Sequence, residues 1–288
     1  MPLRLHSLGL LLGLWLATAS CTTIQLSAAN LVERDIAPRF EVSYGAEPRQ
    51  RYDVYRPLDS LGKPLAGKHP VVVFVHGGSW QSGSKRLYEW MGQSLAKQGV
   101  LAILPNYGVM PDRRFPGFVE DAATALAHAR ARVSEWGGDT TRFVLMGHSA
   151  GAHIAALVAY DPRYLAAHHL TPAVLSGFVG LSGPYDFIYD TPLLRRTFGG
   201  TPEQERAAQP IAFVTASAPR TLLVMGREDT TVNPRNTVSL AARLRAMGAP
   251  VEEMWVSGTH GVTVGAFARI YRADNPIFER VLRFVHGE

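Results

Sequence analysis

Five consecutive residues, Gly147-His148-Ser149-Ala150-Gly151, place a hydroxyl between glycines two positions to either side. They follow an apolar run, Phe143-Val144-Leu145-Met146, that reads as a buried strand. They lead into an alanine-rich stretch, 150–160, that reads as a helix. So tight a strand-to-helix turn forces its central residue into a strained conformation, and the glycines give the backbone room to close. The hydroxyl is raised to the top of a sheet, where a base and a substrate can reach it. The pentapeptide alone is weak evidence. Between strand and helix it makes Ser149 a candidate nucleophile for acyl transfer.

A hydroxyl is a poor nucleophile until a base takes its proton, and the base needs an acid to fix its tautomer. Asp229 stands in Gly226-Arg227-Glu228-Asp229, directly after the strand pattern Leu222-Leu223-Val224-Met225. His260 stands in Ser257-Gly258-Thr259-His260-Gly261, directly after a strand pattern over 251–256. Both fall in loops past strand ends, where partners of Ser149 are required. A plain helix-cap role for Asp229 stays open, as does Glu228 as the acid in its place. The other histidines after the serine are His153, one turn into the nucleophile helix, His168 and His169 in a surface-like loop, and His286 in the closing helix. His260 is the candidate base.

Acyl transfer also needs backbone N–H groups aimed at the developing oxyanion. Ala150 offers one at a helix N-terminus, where the dipole favours negative charge. A second source is His76-Gly77-Gly78-Ser79-Trp80, which follows the β-branched run 71–75. A simple Gly-Gly turn explains these glycines but not their place at a strand exit.

The elements that position these residues alternate along the chain. A hairpin over 40–43 and 52–55 precedes a both-faces-buried strand at 71–75. Then come a helix over 87–98, a strand at 100–104, a helix over 118–133, the nucleophile strand and helix, strands at 174–181 and 221–225, a helix over 236–247, the strand at 251–256 and a closing helix over 276–286. This order implies a mostly parallel sheet covered on both faces. Residues 184–219, rich in Pro, Thr, Tyr and Arg, break the alternation and read as a small cap at the level of the strand ends. With 47% hydrophobic and 18% charged residues the chain is well cored. Its net charge of +5 is scattered, so nucleic acid is not an expected partner. No metal-ligand spacing and no phosphate loop occurs, so no cofactor is expected.

These residues together resemble the α/β-hydrolase family over about residues 40–288. Within it they resemble the branch of hormone-sensitive lipase, whose oxyanion loop is His-Gly-Gly-Gly. His-Gly-Gly-x-Trp at 76–80 is more similar to the kynurenine formamidase and BD-FAE-like (feruloyl/acetyl esterase) relatives. Pro105-Asn106-Tyr107, Phe115-Pro116 with Asp121, and Leu181-Ser182-Gly183-Pro184-Tyr185-Asp186 share that likeness. The resemblance implies an α/β-hydrolase fold of about eight strands with a cap, and a Ser149–His260–Asp229 triad. It implies oxyanion donors at Gly78, Ser79 and Ala150, with His76 organising the loop. Trp80 and Tyr185, with Phe187, become candidate pocket walls, packing roles being equally open, and Asp121 a loop anchor. Relatives usually carry Arg after the Asn-Tyr pair, where this chain has Gly108.

The amino terminus differs in kind. Arg4, an apolar stretch at 8–17 too short to span a bilayer, and small residues at 18–20 have the order of a secretory signal. Cys21, the single cysteine of the chain, then resembles the lipobox cysteine of bacterial lipoproteins, although Thr18 stands where Leu is usual. That resemblance implies lipidation at Cys21, a tether over 22–36 and a hydrolase domain over 37–288. Thr22 in the next position implies the outer membrane, facing the periplasm; cleavage near Ala19 to a soluble periplasmic or secreted form is the alternative. The expected activity is hydrolysis of a small-molecule carboxylic ester of short to medium acyl length. An arylformamidase-like amide hydrolase and a catalytically idle binding lipoprotein are the alternatives.

Overall fold

The computed structural model describes residues 29–30, 39–187, 189–272 and 275–288. Its strands are β1 (Arg39–Ser43), β2 (Arg51–Tyr55), β3 (His69–Val75), β4 (Leu101–Pro105), β5 (Gly138–His148), β6 (Gly177–Leu181), β7 (Thr221–Gly226) and β8 (Val251–Val256). The helices are α1 (Glu89–Ala96), α2 (Gly117–Arg132), α3 (Ala150–Tyr160), α4 (Pro162–Ala166), α5 (Pro192–Phe198), α6 (Pro202–Ala207), α7 (Arg235–Ala246), α8 (Val262–Gly265), α9 (Arg269–Arg272) and α10 (Ile277–His286). The eight strands form one sheet in the order β1-β2-β4-β3-β5-β6-β7-β8. Only the pairings of β1 with β2 and of β2 with β4 are antiparallel; the others run parallel. This is the mostly parallel, doubly covered sheet that the alternation demanded.

Side-chain alternation along β3 separates two cores. Val71, Val73 and Val75 join one cluster with Phe118, Ile154, Leu157 and Phe178, while Val72 and Phe74 join another with Trp90, Leu95, Phe267 and Phe284. A strand buried on both faces can only be apolar at every position, hence the uninterrupted run. Helix α3 is buried along its whole length, which explains why it lacks a polar face. Helix α10 instead buries Ile277, Phe278, Val281, Phe284 and Val285, one stripe of an amphipathic helix, and stops at Gly287 with φ 97°.

Several boundaries differ from the sequence reading for physical reasons. The expected helix over 87–98 splits into a 3₁₀ turn, Lys85–Tyr88, and α1. The nucleophile strand extends back to Gly138, because its polar residues lie at the sheet margin where they need no apolar contact. The strand expected from 174 begins at Gly177, since Pro172–Val174 coil into a 3₁₀ turn. In the cap, α5 and α6 each open on Thr-Pro, with Thr191 and Thr201 capping the first turn. Two residues of the expected tether rest on the domain: Asn30 accepts from the Trp90 N–H at 3.0 Å and donates to the Arg86 carbonyl at 2.8 Å. Cys21 lies outside the described residues.

Candidate active site

Ser149 sits between β5 and α3 with φ 56° and ψ −126°, a conformation costing an L-residue about 1–3 kcal/mol unless its surroundings hold it. Its N–H donates to the Leu181 carbonyl at 2.9 Å, which ties the turn to the neighbouring strand. A side chain at Gly151 would run into the carbonyls of Val75 and His76, and one at Gly147 into the backbone of Gly151. The two glycines are thus packing requirements, Gly151 of the β3 exit against the turn and Gly147 of the turn against itself.

Asp229 and His260 are brought together from the ends of β7 and β8. His260 Nδ1–H donates to Asp229 Oδ2 at 2.8 Å. The other carboxylate oxygen accepts from the Thr231 and Val232 N–H groups, both at 2.9 Å. One side chain thus both caps the turn and holds the histidine ring. Burial pushes the Asp229 carboxyl up, but the His260 bond and charge and the two backbone donors outweigh it and hold the group below its usual value. Glu228 points elsewhere and accepts from the Gly258 N–H, so it braces the histidine loop. Among the described residues no hydrogen bond joins Ser149 Oγ to the His260 ring. Such bonds commonly tighten only when substrate is bound.

The histidine loop is fixed beside the Ser149 turn by His148. The His148 and His260 rings lie 4.9 Å apart at 40°, and His148 Nε2–H donates to the His260 carbonyl at 3.4 Å. Burial, with the neighbouring His260 charge, pushes the His148 pKa down to about 3, so the ring is neutral at pH 7.

The loop after β3 makes the second wall. Gly78 has φ 137°, Ser79 52° and Trp80 60°, three consecutive residues with positive φ. The N–H groups of Gly78, Ser79 and Ala150 donate to no protein acceptor among the described residues. They are available to an oxyanion. His76 is buried and stacked between Tyr107, at 4.4 Å, and Tyr88, at 6.0 Å, and burial pushes its pKa down to about 4. Its Nδ1–H donates to the Gly77 carbonyl at 2.8 Å, consistent with an organising role.

Trp80, a candidate pocket wall, is 6% exposed and packs edge-on against Phe198 at 4.9 Å. The expectation for Tyr185 is corrected. It is wholly buried, edge-on to Phe178, and packs tightly over Gly180 and Gly183, so it fills the core beneath the cap and does not wall a pocket. Asp121 anchors its loop, accepting from the Gly108 N–H at 2.9 Å and from Gln50 at 2.9 Å. Arg113 also reaches Asp121, at 3.2 Å, and its stem occupies the space over Gly108, where a Cβ would sit 2.6 Å from it. A guanidinium thus reaches Asp121 from a position five residues past the one usual in relatives.

Sequence reasoning missed the braces of the donor loop. Arg49 donates to the Gly83 carbonyl at 2.9 Å and to the Tyr107 carbonyl at 2.7 Å. Lys85, buried, pairs with Glu41 at 2.6 Å and with the buried Asp53. These contacts span at least 30 residues of chain, and no local pattern announces them. Among the described residues no group of three His, Cys, Asp or Glu side chains could hold a metal ion.

The BD-FAE family model matches residues 53–244. Esterase LipC of Mycobacterium tuberculosis is 34% identical over 235 residues, covering 75% of the chain and 57% of LipC. Isoprenylcysteine alpha-carbonyl methylesterase ICME of Arabidopsis thaliana is 28% identical over 271 residues, covering 87% of the chain and 62% of that protein. The chain therefore spans less than two thirds of either relative. Among solved structures, esterase B of Lactobacillus rhamnosis, bound to a tributyrin phosphonate inhibitor, superposes with TM-score 0.77 at 19% identity, over 96% of the chain and 94% of its own. That likeness establishes a shared α/β-hydrolase fold.

Proposed function

The chain belongs to the BD-FAE family, and from that premise we propose that it is a serine carboxylesterase acting on small esters of short to medium acyl length. The observation that carries the reading is the 2.8 Å bond between Asp229 and His260, formed at two strand ends beside the strained Ser149 turn. Named relatives that are esterases support it.

In this reading Ser149 Oγ attacks the ester carbon as His260 Nε2 takes its proton. Asp229 holds the Nδ1–H and stabilises the imidazolium. The oxyanion accepts hydrogen bonds from Gly78, Ser79 and Ala150, which are fixed before the charge appears. Collapse breaks the bond to the alkoxy oxygen, which leaves with the proton from His260. Water then attacks the acyl-enzyme by the same path, giving the carboxylic acid and restoring Ser149. By resemblance at Cys21, we also propose export and attachment to the outer membrane through a lipid anchor; palmitate labelling lost in Cys21→Ser is the expected result.

The test of the activity is hydrolysis of p-nitrophenyl acetate by the wild type and by Ser149→Ala. The variant should lose about 10⁴-fold or more in kcat with its fold intact. Undiminished turnover would refute the assignment. A parallel assay on N-formylkynurenine separates ester from formamide preference.

A further inference from the structure

His153 lies in α3 one turn beyond Ser149 and has no hydrogen bond to Asp229 or His260 among the described residues, yet it is completely buried. Trp80 Nε1–H donates to His153 Nδ1 at 3.2 Å. His153 Nε2–H donates to the Ala208 carbonyl, in the cap, at 2.8 Å. A ring that accepts at one nitrogen and donates at the other is neutral and locked in a single tautomer. Phe187 and Phe198 pack against this ring at 5.5 and 5.2 Å and against Trp80 at 6.2 and 4.9 Å, so ring and indole share one aromatic box.

Trp80 is also the second of two consecutive non-glycine residues with positive φ, the first being the oxyanion candidate Ser79. Left-handed conformations at such residues persist only where the surroundings over-determine them. Besides the ring contacts, two hydrogen bonds fix Trp80: its carbonyl accepts from the Met110 N–H at 2.8 Å, and its indole N–H is held by His153. Releasing the indole would free the loop to relax toward ordinary φ values and turn the Ser79 N–H away. The helix that bears the nucleophile would then no longer be in register with the loop that bears the donors.

We infer that His153 is a positioning residue for the oxyanion loop, acting through the Trp80 indole and tying the loop at the same time to the cap at Ala208. The inference rests on the esterase reading above. It deepens that reading by assigning a task to a residue outside the triad. The relevant atom is Nδ1 as an acceptor. Asn at 153 can place Oδ1 near that point, whereas Leu offers neither an acceptor nor a donor.

Four proteins decide between positioning and plain packing, with p-nitrophenyl acetate as substrate: His153→Leu, His153→Asn, Trp80→Phe and the double variant Trp80→Phe/His153→Leu. Folding is checked by circular dichroism and thermal midpoint. His153→Leu and Trp80→Phe should each lower kcat about tenfold to thirtyfold with little change in KM, less than outright loss of an oxyanion donor costs. The double variant should be no slower than the worse single one, because both remove the same bond. His153→Asn should recover most of the kcat lost in His153→Leu. Should His153→Leu fail to fold, a slow Trp80→Phe beside a fast His153→Asn supports the inference equally. Multiplying losses in the double variant, equal losses in Asn and Leu, or an unchanged kcat in Trp80→Phe would overturn it. A wild type that neither turns over ester nor reacts with a fluorophosphonate would instead bring down the esterase reading itself.

Discussion

Three neutral histidines packed around the candidate site make the fold acid-labile, and the size of the effect follows from their burial. Burial pushes the pKa of His76 to about 4, of His148 to about 3 and of His153 to about 4, from an ordinary 6.5. In each case the folded value lies below the unfolded one. As the pH falls below about 6.5 the unfolded chain takes up protons that the folded chain refuses, so stability present at neutral pH is lost between about 6.5 and the folded values. Near pH 5 the unfolded state holds nearly three more protons on these rings, a slope of about 4 kcal/mol per pH unit. Between pH 7 and pH 5 the loss sums to about 5 kcal/mol, comparable with the whole stability of many domains. Asp229, held below its usual value, extends the loss into the carboxylate range. Urea unfolding followed by tryptophan fluorescence at pH 7, 6 and 5 measures the slope directly. In His153→Asn one titrating ring is gone, so the drop between pH 7 and 5 should shrink by about a third. Stability that stays level within about 1 kcal/mol from pH 7 to 5 would refute the reasoning.

The acid of the proposed triad is separable from its neighbour. Asp229→Asn keeps an acceptor for the Thr231 and Val232 N–H groups, so the loop should survive while kcat falls about 10³–10⁴-fold as His260 loses its enforced tautomer. Glu228→Gln disturbs only the bond from the Gly258 N–H and should cost less than about tenfold in the same ester assay. The glycine pattern has its own test. Gly151→Ala drives a methyl group into the carbonyls of Val75 and His76 and should lower stability in urea by about 3 kcal/mol, whereas Gly200→Ala meets open space and should stay within about 0.5 kcal/mol.

The parts of the fold legible in the sequence are those whose burial leaves a periodic trace. Strand β3 is apolar throughout Val71–Val75 because both faces are covered, and α3 is apolar but for His153 and the Tyr160 hydroxyl because it is buried all round. Asp229 and His260 are legible for a different reason. Parallel strands deliver their C-terminal loops to one edge of the sheet, so position after a strand stands in for position in space. What stays illegible has no local signature. Aromatics in a cap-like segment suggest a pocket wall at Tyr185, but periodicity says nothing about side-chain direction in irregular chain. His153 reads as a helix interior residue, which it is. Its bonds to Trp80 and to Ala208 cross 73 and 55 positions. The arginine usual after Asn106-Tyr107 is absent, and only the fold shows Arg113 passing through the space that Gly108 leaves.

The antiparallel hairpin of β1 and β2 sits at the sheet edge farthest from β8, and its sequence suggests only an edge cover. Yet it supplies Arg49 to the Gly83 and Tyr107 carbonyls and the carboxylates of Glu41 and Asp53 to Lys85. These contacts grip the far end of the proposed oxyanion loop, while Met110 and His153 grip Trp80 at its middle. A loop holding positive φ at Gly78, Ser79 and Trp80 stores strain that would straighten it if either end were free. Fixing it from one side would let it pivot about that point and swing its amides with it. Restraint from the hairpin on one side and the nucleophile helix on the other removes the pivot. In the proposed mechanism, donors held this way need little reorganisation when the oxyanion forms.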